Sequence, residues 1–185
     1  EGEGNVLYDT TQHGNDGIIY GAQWIEGRFG QGLYFDGIDD YVNIWNDSTL
    51  SPPEMTIEMW CYVDPNINEA QCVISKHDVS SASGYVLLFR GHLSEKDFSF
   101  QAGNGTRWAV WNARSETITE PGWYHVVGIH SSNYHTIYVN GVEGSPVTSP
   151  TGMIASNEKS LWINRNADSP QYYYSGIIDE IAIYN

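Results

Sequence analysis

The stretch WYHVVGIHSSNYHTIYVNG, residues 123–141, decides the fold class of this chain. Residues 123–130 and 134–139 are rich in β-branched and aromatic side chains, which predicts two strands. The short polar segment Ser131–Asn133 predicts the turn between them. Asn140-Gly141 then predicts a second tight turn, of type I′, because both residues tolerate positive φ angles. The segment therefore indicates antiparallel β-structure.

This β pattern continues along the rest of the chain. Residues 56–63, TIEMWCYV, alternate with a period of two, as a half-buried strand does. Ile and Val together number 29, whereas Ala and Leu number only 16, and this balance favours strands over helices. Because the chain shows no helical periodicity, repeat or linker, we expect one all-β domain over residues 1–185, either a sandwich or a barrel.

The charge balance excludes several classes of partner. Eight Lys and Arg residues stand against 23 Asp and Glu residues, which gives a net charge of −15. Such a chain lacks a basic surface to neutralise phosphates, so we expect neither a nucleic acid nor an anionic membrane as partner. Its apolar runs are a few residues long, whereas a bilayer span needs about 20, so membrane insertion is not expected. The start at Glu1, without an initiator Met or leader, indicates a segment of a longer protein.

Several segments, taken together and in this order, resemble the laminin G-like, concanavalin A-like lectin/glucanase family. They are Asp9-Thr10-Thr11 with Gly14-Asn15-Asp16-Gly17, GQGLYFDG (30–37) with Asp40-Tyr41-Val42, TIEMW (56–60), WYHVV (123–127) with IYVNG (137–141), and SGIIDEIAIYN (175–185). The resemblance implies a two-sheet antiparallel jelly-roll β-sandwich with the terminal strands side by side in one sheet. It also implies a secreted or cell-surface module, mostly non-catalytic, that binds carbohydrate or another extracellular ligand and often holds a structural calcium.

The acidic opening of the chain is the first candidate metal site. Asp9, Asn15 and Asp16 crowd a glycine-rich turn, and their oxygens suit Ca²⁺, which takes about 6–8 oxygen ligands. If the terminal strands pair as the resemblance implies, Asp179 approaches this loop, so we expect Ca²⁺ at these four residues. The alternative is that Asp9 and Asp16 cap turns by accepting hydrogen bonds from local amides. A second acidic cluster predicts a turn and a solvated strand start, with a metal site as its alternative: Asp36, Asp39 and Asp40.

The two cysteines leave the redox state open. Pairing residues 56–63 with the next strand across the loop 64–69 places Cys61 opposite Cys72. Directly opposed Cβ atoms lie about 4.5–5.5 Å apart, so a cross-strand disulfide is geometrically possible. Two buried free thiols are the equally open alternative.

Candidate catalytic residues are sparse. Retaining glycosidases hold two carboxylates about 5–5.5 Å apart. Glu95 and Asp97 are two residues apart and so share a strand face, but Phe100 occupies the position where glycosidases of this architecture carry a further Glu. His125, His130 and His135 lie on one hairpin, where we expect exposed strand histidines rather than a zinc site. No Ser–His–Asp set can be assembled from the sequence without choosing residues freely. The chain is therefore predicted not to be an enzyme.

Two loops have the residue types that bind sugars, namely aromatic platforms beside amides and guanidinium groups that engage neighbouring hydroxyls. Trp60 and Trp123, in contrast, sit in mid-strand and are expected in the core. The ligand-binding residues predicted from the two loops are Arg107, Trp108 and Trp111, and Arg165, Asn166, Tyr172 and Tyr173.

The sequence thus predicts a lectin-like carbohydrate-binding module of a larger secreted or surface protein, monomeric as an isolated domain, whose partner is a glycan or polysaccharide. An adhesion or assembly domain that binds a protein at a cell surface is the alternative. A polysaccharide-cleaving enzyme is a third, less favoured one.

Overall fold

The computed structural model describes residues 2–107, 113–146, 152–168 and 171–185. Within these ranges the chain consists of β-strands, turns and one 3₁₀ helix at Ser48–Leu50. The strands are β1 (Val6–Leu7), β2 (Gly17–Tyr20), β3 (Gln23–Glu26), β4 (Gln31–Asp36), β5 (Tyr41–Ile44), β6 (Met55–Val63), β7 (Ala70–Asp78), β8 (Ser83–Arg90), β9 (Phe98–Asn104), β10 (Ala113–Arg114), β11 (Gly122–His130), β12 (His135–Val139), β13 (Val142–Glu143), β14 (Leu161–Ile163) and β15 (Ser175–Tyr184).

The strands form two antiparallel sheets that pack face to face. The eight-stranded sheet has the order β1-β2-β5-β14-β7-β8-β9-β10, and the seven-stranded sheet has the order β13-β12-β11-β6-β15-β4-β3. Strand β6 shows the predicted alternation, since Ile57, Met59 and Cys61 point into the core between the sheets. The chain is therefore the two-sheet antiparallel jelly-roll β-sandwich that the sequence predicted.

The core lies between the two sheets and contains the inward residues of both. Phe35, Met59, Leu87, Phe98 and Phe100 are completely buried there. Each such side chain contributes about 1.5–3 kcal/mol relative to an exposed one. The core thus fixes which face of each strand is left for a ligand.

The hairpin predicted from residues 123–141 is confirmed. Strands β11 and β12 pair from Val126 with Val139 to His130 with His135. Asn140 and Gly141 have φ angles of 51° and 78°, as a type I′ turn requires.

The predicted position of the terminal strands is wrong. β1 pairs with β2 in the eight-stranded sheet, whereas β15 lies between β6 and β4 in the seven-stranded sheet. Strand β4 lies beside β15 instead. It has six residues and buries Leu33 and Phe35, whereas β1 has only two residues and buries less apolar surface.

The predicted pairing of Cys61 with Cys72 is also wrong. Cys61 lies on β6 and Cys72 on β7, in different sheets, because the connection at residues 64–69 crosses between the sheets instead of turning back. Both cysteines are free and completely buried, and burial raises the pKa of each thiol. This arrangement corresponds to the second alternative, two buried thiols.

Trp60 and Trp123 do not belong to the core, contrary to the prediction. Both point away from it on the outer face of the seven-stranded sheet and are only half-buried. The reason is their phase, because the inward places are taken by Met59 and Cys61 on β6 and by Tyr124 and Val126 on β11.

Candidate functional site

A row of stacked side chains lies on the outer face of the eight-stranded sheet. We call it the platform, and it consists of Tyr20, Tyr41, Trp162 and Arg165. Tyr20 and Tyr41 stack with ring centroids 4.6 Å apart, and Tyr41 meets Trp162 edge-on at 5.4 Å. The row is continuous because β2, β5 and β14 are neighbours in this sheet.

The guanidinium group of Arg165 lies over two of these rings. Its Cζ atom is 4.4 Å from the ring centroid of Trp162 and 5.0 Å from that of Tyr41, within the range of cation–π attraction. Among the residues that the structure describes, no carboxylate forms an ion pair with Arg165, although the chain has 23 acidic side chains. The guanidinium group therefore keeps N–H donors for a ligand beside the exposed ring of Tyr20.

Asn164 places Arg165 on the outer face. It adopts a φ of 66°, a left-handed conformation that Asn tolerates better than most residues, and so turns the chain out of β14. Its backbone N–H donates to the Val73 carbonyl at 2.8 Å, and its Nδ2 donates to the Asp40 carbonyl at 2.8 Å. Its Oδ1 accepts from the Tyr174 N–H, so this completely buried amide ties the loop to both neighbouring segments.

Asp168 fastens the next part of the same loop. Its carboxylate accepts a hydrogen bond from the Val79 N–H and lies 3.3 Å from Nζ of Lys159. The loop therefore runs along the outer face of β7 from the level of Val73 to that of Val79.

The fold also assembles a Ser–His–Asp set, although its three members could not be chosen from the sequence alone. Ser75 Oγ lies 2.9 Å from Nδ1 of His77, and Nε2 of His77 lies 3.7 Å from the Asp168 carboxylate. Burial lowers the pKa of His77, although Asp168 raises it. Ser75 is completely buried and its Oγ accepts the Ala167 N–H at 2.8 Å, so the hydroxyl is closed to a substrate. The set holds the loop on β7.

The predicted ligand residues of this loop fall at different distances from the platform. Arg165 is part of it, and Asn166 follows directly and accepts the Asp168 N–H at 3.0 Å. Tyr172 is 48% exposed, and Tyr173 forms a bridge to Cys72 of β7, farther along the loop.

The other predicted loop is not brought to the platform. Arg107 is exposed, and its N–H donates to Asn104 Oδ1 at the end of β9, three strand positions from β14. Trp108 and Trp111 lie outside the described residues.

The acidic cluster Asp36, Asp39 and Asp40 lies beside the platform. Carboxylate oxygens of the three residues lie within 4.8 Å of one another. Burial raises the pKa of Asp40, with repulsion from Asp36 and Asp39 adding to it and the Asp36 N–H lowering it. Converging hard oxygen donors with uncompensated charge fit a Ca²⁺ ion. Tyr41 of the platform follows Asp40 directly, so a cation here would border the ligand surface.

The acidic opening of the chain uses its oxygens differently. Asp9 accepts hydrogen bonds from the Thr11 and Asn15 N–H groups, and Asp16 accepts from the Asp9 N–H at 2.8 Å. Burial raises the pKa of Asp9, but these hydrogen bonds outweigh it and lower the pKa overall. Asp179 lies in the other sheet, where its oxygens accept from the Phe29 and Glu180 N–H groups. Asp36 and Asp40 also accept local N–H groups, but their oxygens converge with those of Asp39, so the four residues of the acidic opening fit Ca²⁺ less well than that cluster.

Glu95 and Asp97 line a polar groove of about 520 Å³. Asp97 is 3% exposed and accepts from Nε of Arg90 at 2.6 Å, and Nη2 of Arg114 lies 3.1 Å from it. Two guanidinium groups occupy the oxygens of this carboxylate, which suits an ion-pair anchor better than a catalytic acid.

A second cluster of an Arg with aromatic rings lies on the outer face of the seven-stranded sheet. Arg28 lies over Trp60 at 4.8 Å and over Phe29 at 5.5 Å. The other side of Trp60 stacks on His125 at 5.0 Å, and Nε2 of His125 lies 3.3 Å from Glu58. Sequence reasoning missed this cluster and the rings of the platform. The signal was the strand phase, which assigns Trp60 and Tyr41 to outer faces once their neighbours are assigned to the core.

Comparisons with known proteins agree with this architecture. Domain 4 of an extracellular arabinanase from Geobacillus stearothermophilus, solved with arabinotriose, superposes with a TM-score of 0.75 at 18% identity, covering 98% of this chain and 87% of that one. The binding domain of a botulinum neurotoxin in complex with rat synaptotagmin II gives 0.72 at 14% identity, covering all of this chain and 46% of that one. A pentraxin from Limulus polyphemus gives 0.53 at 13% identity, with 71% and 64% covered.

None of the curated proteins that were compared matches the sequence. The laminin G-like sequence model of the concanavalin A-like lectin/glucanases superfamily matches residues 10–185. The chain belongs to this superfamily.

Proposed function

We propose that the chain is a non-catalytic carbohydrate-binding module and that it binds sugar over the platform. The observation that carries the proposal is Arg165, a cation without an acidic partner in the described chain, held on Trp162 and Tyr41. A sugar presents C–H faces that pack on a ring such as Tyr20, and hydroxyls that accept from a guanidinium group. The structurally similar arabinanase domain, which was solved with arabinotriose, supports this ligand class by analogy of fold.

Binding measurements with matched variants test this proposal. We expect a glycan array to give a hit, and isothermal titration against that glycan to show a loss of about tenfold or more for Arg165→Ala, since one charged hydrogen bond contributes about 1.5–3 kcal/mol. Arg28→Ala is the matched control, because it removes the same side chain from a Trp on the opposite sheet. Equal losses in both variants, or no glycan bound at all, would contradict the proposal.

The non-catalytic part of the proposal is supported by the state of the candidate catalytic groups. Ser75 is sealed from solvent, and Asp97 is held by two arginines. Incubation with the glycan found on the array should release no reducing ends. Turnover that disappears in Glu95→Gln would instead support a polysaccharide-cleaving enzyme.

We place the module in a secreted or cell-surface protein. The arabinanase that contains the structurally similar domain is an extracellular enzyme, which supports this assignment by analogy. No helix among the described residues is long and apolar enough to span a membrane. We expect the gene product to carry an export signal or a surface anchor, and the complete gene sequence tests this expectation.

A structural Ca²⁺ remains part of the proposal, and we assign it to Asp36, Asp39 and Asp40, whose oxygens converge. Burial is the main cause of the raised pKa of Asp40, and the ion would neutralise the repulsion from Asp36 and Asp39 that adds to it. The ion would thereby stiffen the turn that leads into Tyr41 of the platform.

Recognition of a cell-surface protein is the second candidate function. The outer face of the seven-stranded sheet favours it, since it exposes Phe29, Tyr34 and Tyr62 next to Trp60 and Arg28. Trp, Tyr and Arg dominate the binding energy of protein interfaces. An array without hits, together with a protein ligand whose binding is lost in Arg28→Ala but kept in Arg165→Ala, would favour this function.

A further inference from the structure

His130 and His135 form a buried pair in the interior of the sandwich, although the sequence predicts exposed strand histidines. They are opposite each other on β11 and β12 and are 1% and 0% exposed. Both belong to the inward phase of their strands, whereas His125 belongs to the outer phase. The pair closes one end of the core, and the ring of His135 stacks on Phe100 at 4.9 Å.

Three polar contacts fix the two rings. Nε2 of His130 lies 2.7 Å from the Gly152 carbonyl, and Nε2 of His135 lies 2.9 Å from the Phe100 carbonyl. The two Nδ1 atoms lie 3.0 Å apart. A carbonyl oxygen only accepts, so each Nε2 must carry a hydrogen.

Counting protons shows what the third contact requires. With both Nε2 atoms protonated and both rings neutral, two Nδ1 lone pairs would face each other at 3.0 Å. That separation is the length of a hydrogen bond in which one Nδ1 donates to the other. The geometry therefore needs three protons on two rings. A neutral pair always leaves one of the three contacts without a hydrogen.

The surroundings decide which ring holds the extra proton. Burial lowers the pKa of His135 to about 4, with a smaller effect of His130 in the same direction, although the Phe100 carbonyl raises it. Burial also lowers the pKa of His130, but the Gly152 carbonyl and the Glu54 carboxylate raise it. In the described chain, one charged group outside the pair shifts the pKa of either ring. It is Glu54, in the segment before β6. The positive charge therefore belongs on His130.

We propose that His130 and His135 share a third proton, donated through Nδ1 of a protonated His130 to a neutral His135, and that the pair acts as a pH-sensitive clasp between the two sheets. The clasp joins β12 of the seven-stranded sheet to Phe100 of β9 in the eight-stranded sheet. It also ties β11 to Gly152, at the start of a segment that bonds to Pro53 and Gly103. Weak acid supplies the proton that the three contacts need, but burial, which lowers the pKa of both rings, opposes its uptake in the closed clasp.

Nitrogen-15 NMR of the histidine rings in the intact wild-type protein tests the clasp directly. On titration from pH 8 to pH 4, we expect His130 to gain a proton in the weakly acidic range while His135 stays neutral to about pH 4. In that window the pair should show three ring N–H signals, two from Nε2 and one from Nδ1. Two N–H signals throughout, or two rings that titrate independently at the ordinary pKa of about 6.5, would overturn the proposal.

Two further measurements separate the clasp from simpler explanations. His125→Asn should leave the signals of the pair unchanged, because that ring faces the other side of the sheet. The Ile154 N–H, which donates to the Pro53 carbonyl at 2.9 Å, should exchange at least about threefold faster than the intrinsic rate change predicts when the pH falls from 7.5 to 5.5, because burial lowers the pKa of both rings and the open segment binds protons more readily. Unchanged protection would contradict the clasp, and so would stoichiometric Zn²⁺ binding that removes the Nδ1 signal, since it would make the pair a metal site.

Discussion

The outer faces of the two sheets carry the same local motif in different surroundings. Arg165 lies 4.4 Å from the ring of Trp162, and Arg28 lies 4.8 Å from the ring of Trp60. Around Trp60 one ring face is covered, since His125 stacks on it, and the turn that carries Arg28 is held by Asp179. Exposed rings border both clusters, Phe29 beside Arg28 and Tyr20 at the end of the platform. The comparison teaches that a stacked Arg does not by itself identify a ligand site, so binding measurements on matched variants must tell the two faces apart.

The largest test of this comparison replaces the residue that positions the platform. Asn164→Ala should lower the free energy of unfolding by about 3–5 kcal/mol, because it leaves the Asp40 carbonyl and Tyr174 N–H unpaired in a buried site. It also places Ala at a φ of 66°, which adds strain. Urea denaturation measures the loss, and glycan affinity should fall with it. Asn133→Ala, at an exposed position in the turn between β11 and β12, is the control. A loss below about 1 kcal/mol would show that Asn164 does not hold the platform.

Acid should lower the free energy of unfolding of the β-sandwich that carries both clusters. The pKa of His135 falls from its ordinary 6.5 to about 4 on folding, so the unfolded chain binds a proton first as the pH decreases. This contribution is fully present above about pH 6.5 and is lost progressively as the pH falls to about 4, and it amounts to about 3 kcal/mol. Denaturation curves at pH 7.5, 5.5 and 4 measure it. A variant His135→Gln that keeps the full acid sensitivity would contradict the assignment.

Removing the anchor of the second cluster should separate stability from binding. Asp179 is 7% exposed, and its carboxylate accepts the Phe29 N–H at 2.9 Å. Asp179→Ala should cost about 2 kcal/mol, in line with a lost hydrogen bond to a charged group. Glycan affinity should stay within about twofold of the wild type, because the platform is on the other sheet. A large loss of glycan affinity with little loss of stability would reverse the roles of the two clusters.

The smallest expected effect is that of calcium, which we expect to bind at Asp36, Asp39 and Asp40 beside the platform. Ca²⁺ at ten times its dissociation constant should stabilise the protein by about 1.4 kcal/mol, and excess chelator should remove this gain. Asp39→Asn should abolish the response, whereas Asp9→Asn should keep it, because the Asp9 oxygens already accept local hydrogen bonds. Thermal unfolding with and without Ca²⁺ measures this. A response lost in Asp9→Asn alone would return the metal to the acidic opening.

The candidate site was predictable only in part. Arg165 was found because its loop combines tyrosines, amides and a guanidinium group, the residue types that bind sugars. Tyr41 and Trp162 were missed, since a ring inside a strand has two possible faces and only the opposing sheet decides between them. Trp60 was assigned to the core for the same reason.

The sequence by itself determined the local features of this protein. The alternation in β6 and the type I′ turn at Asn140 depend on residues close in the chain, and the family resemblance depends on short motifs in a fixed order; all were confirmed. Tertiary structure alone decided which sheet each strand joins, and so it separated Cys61 from Cys72. It also brought Ser75 to Asp168, because contacts between distant strands depend on how the two apolar faces pack together, which no local pattern specifies.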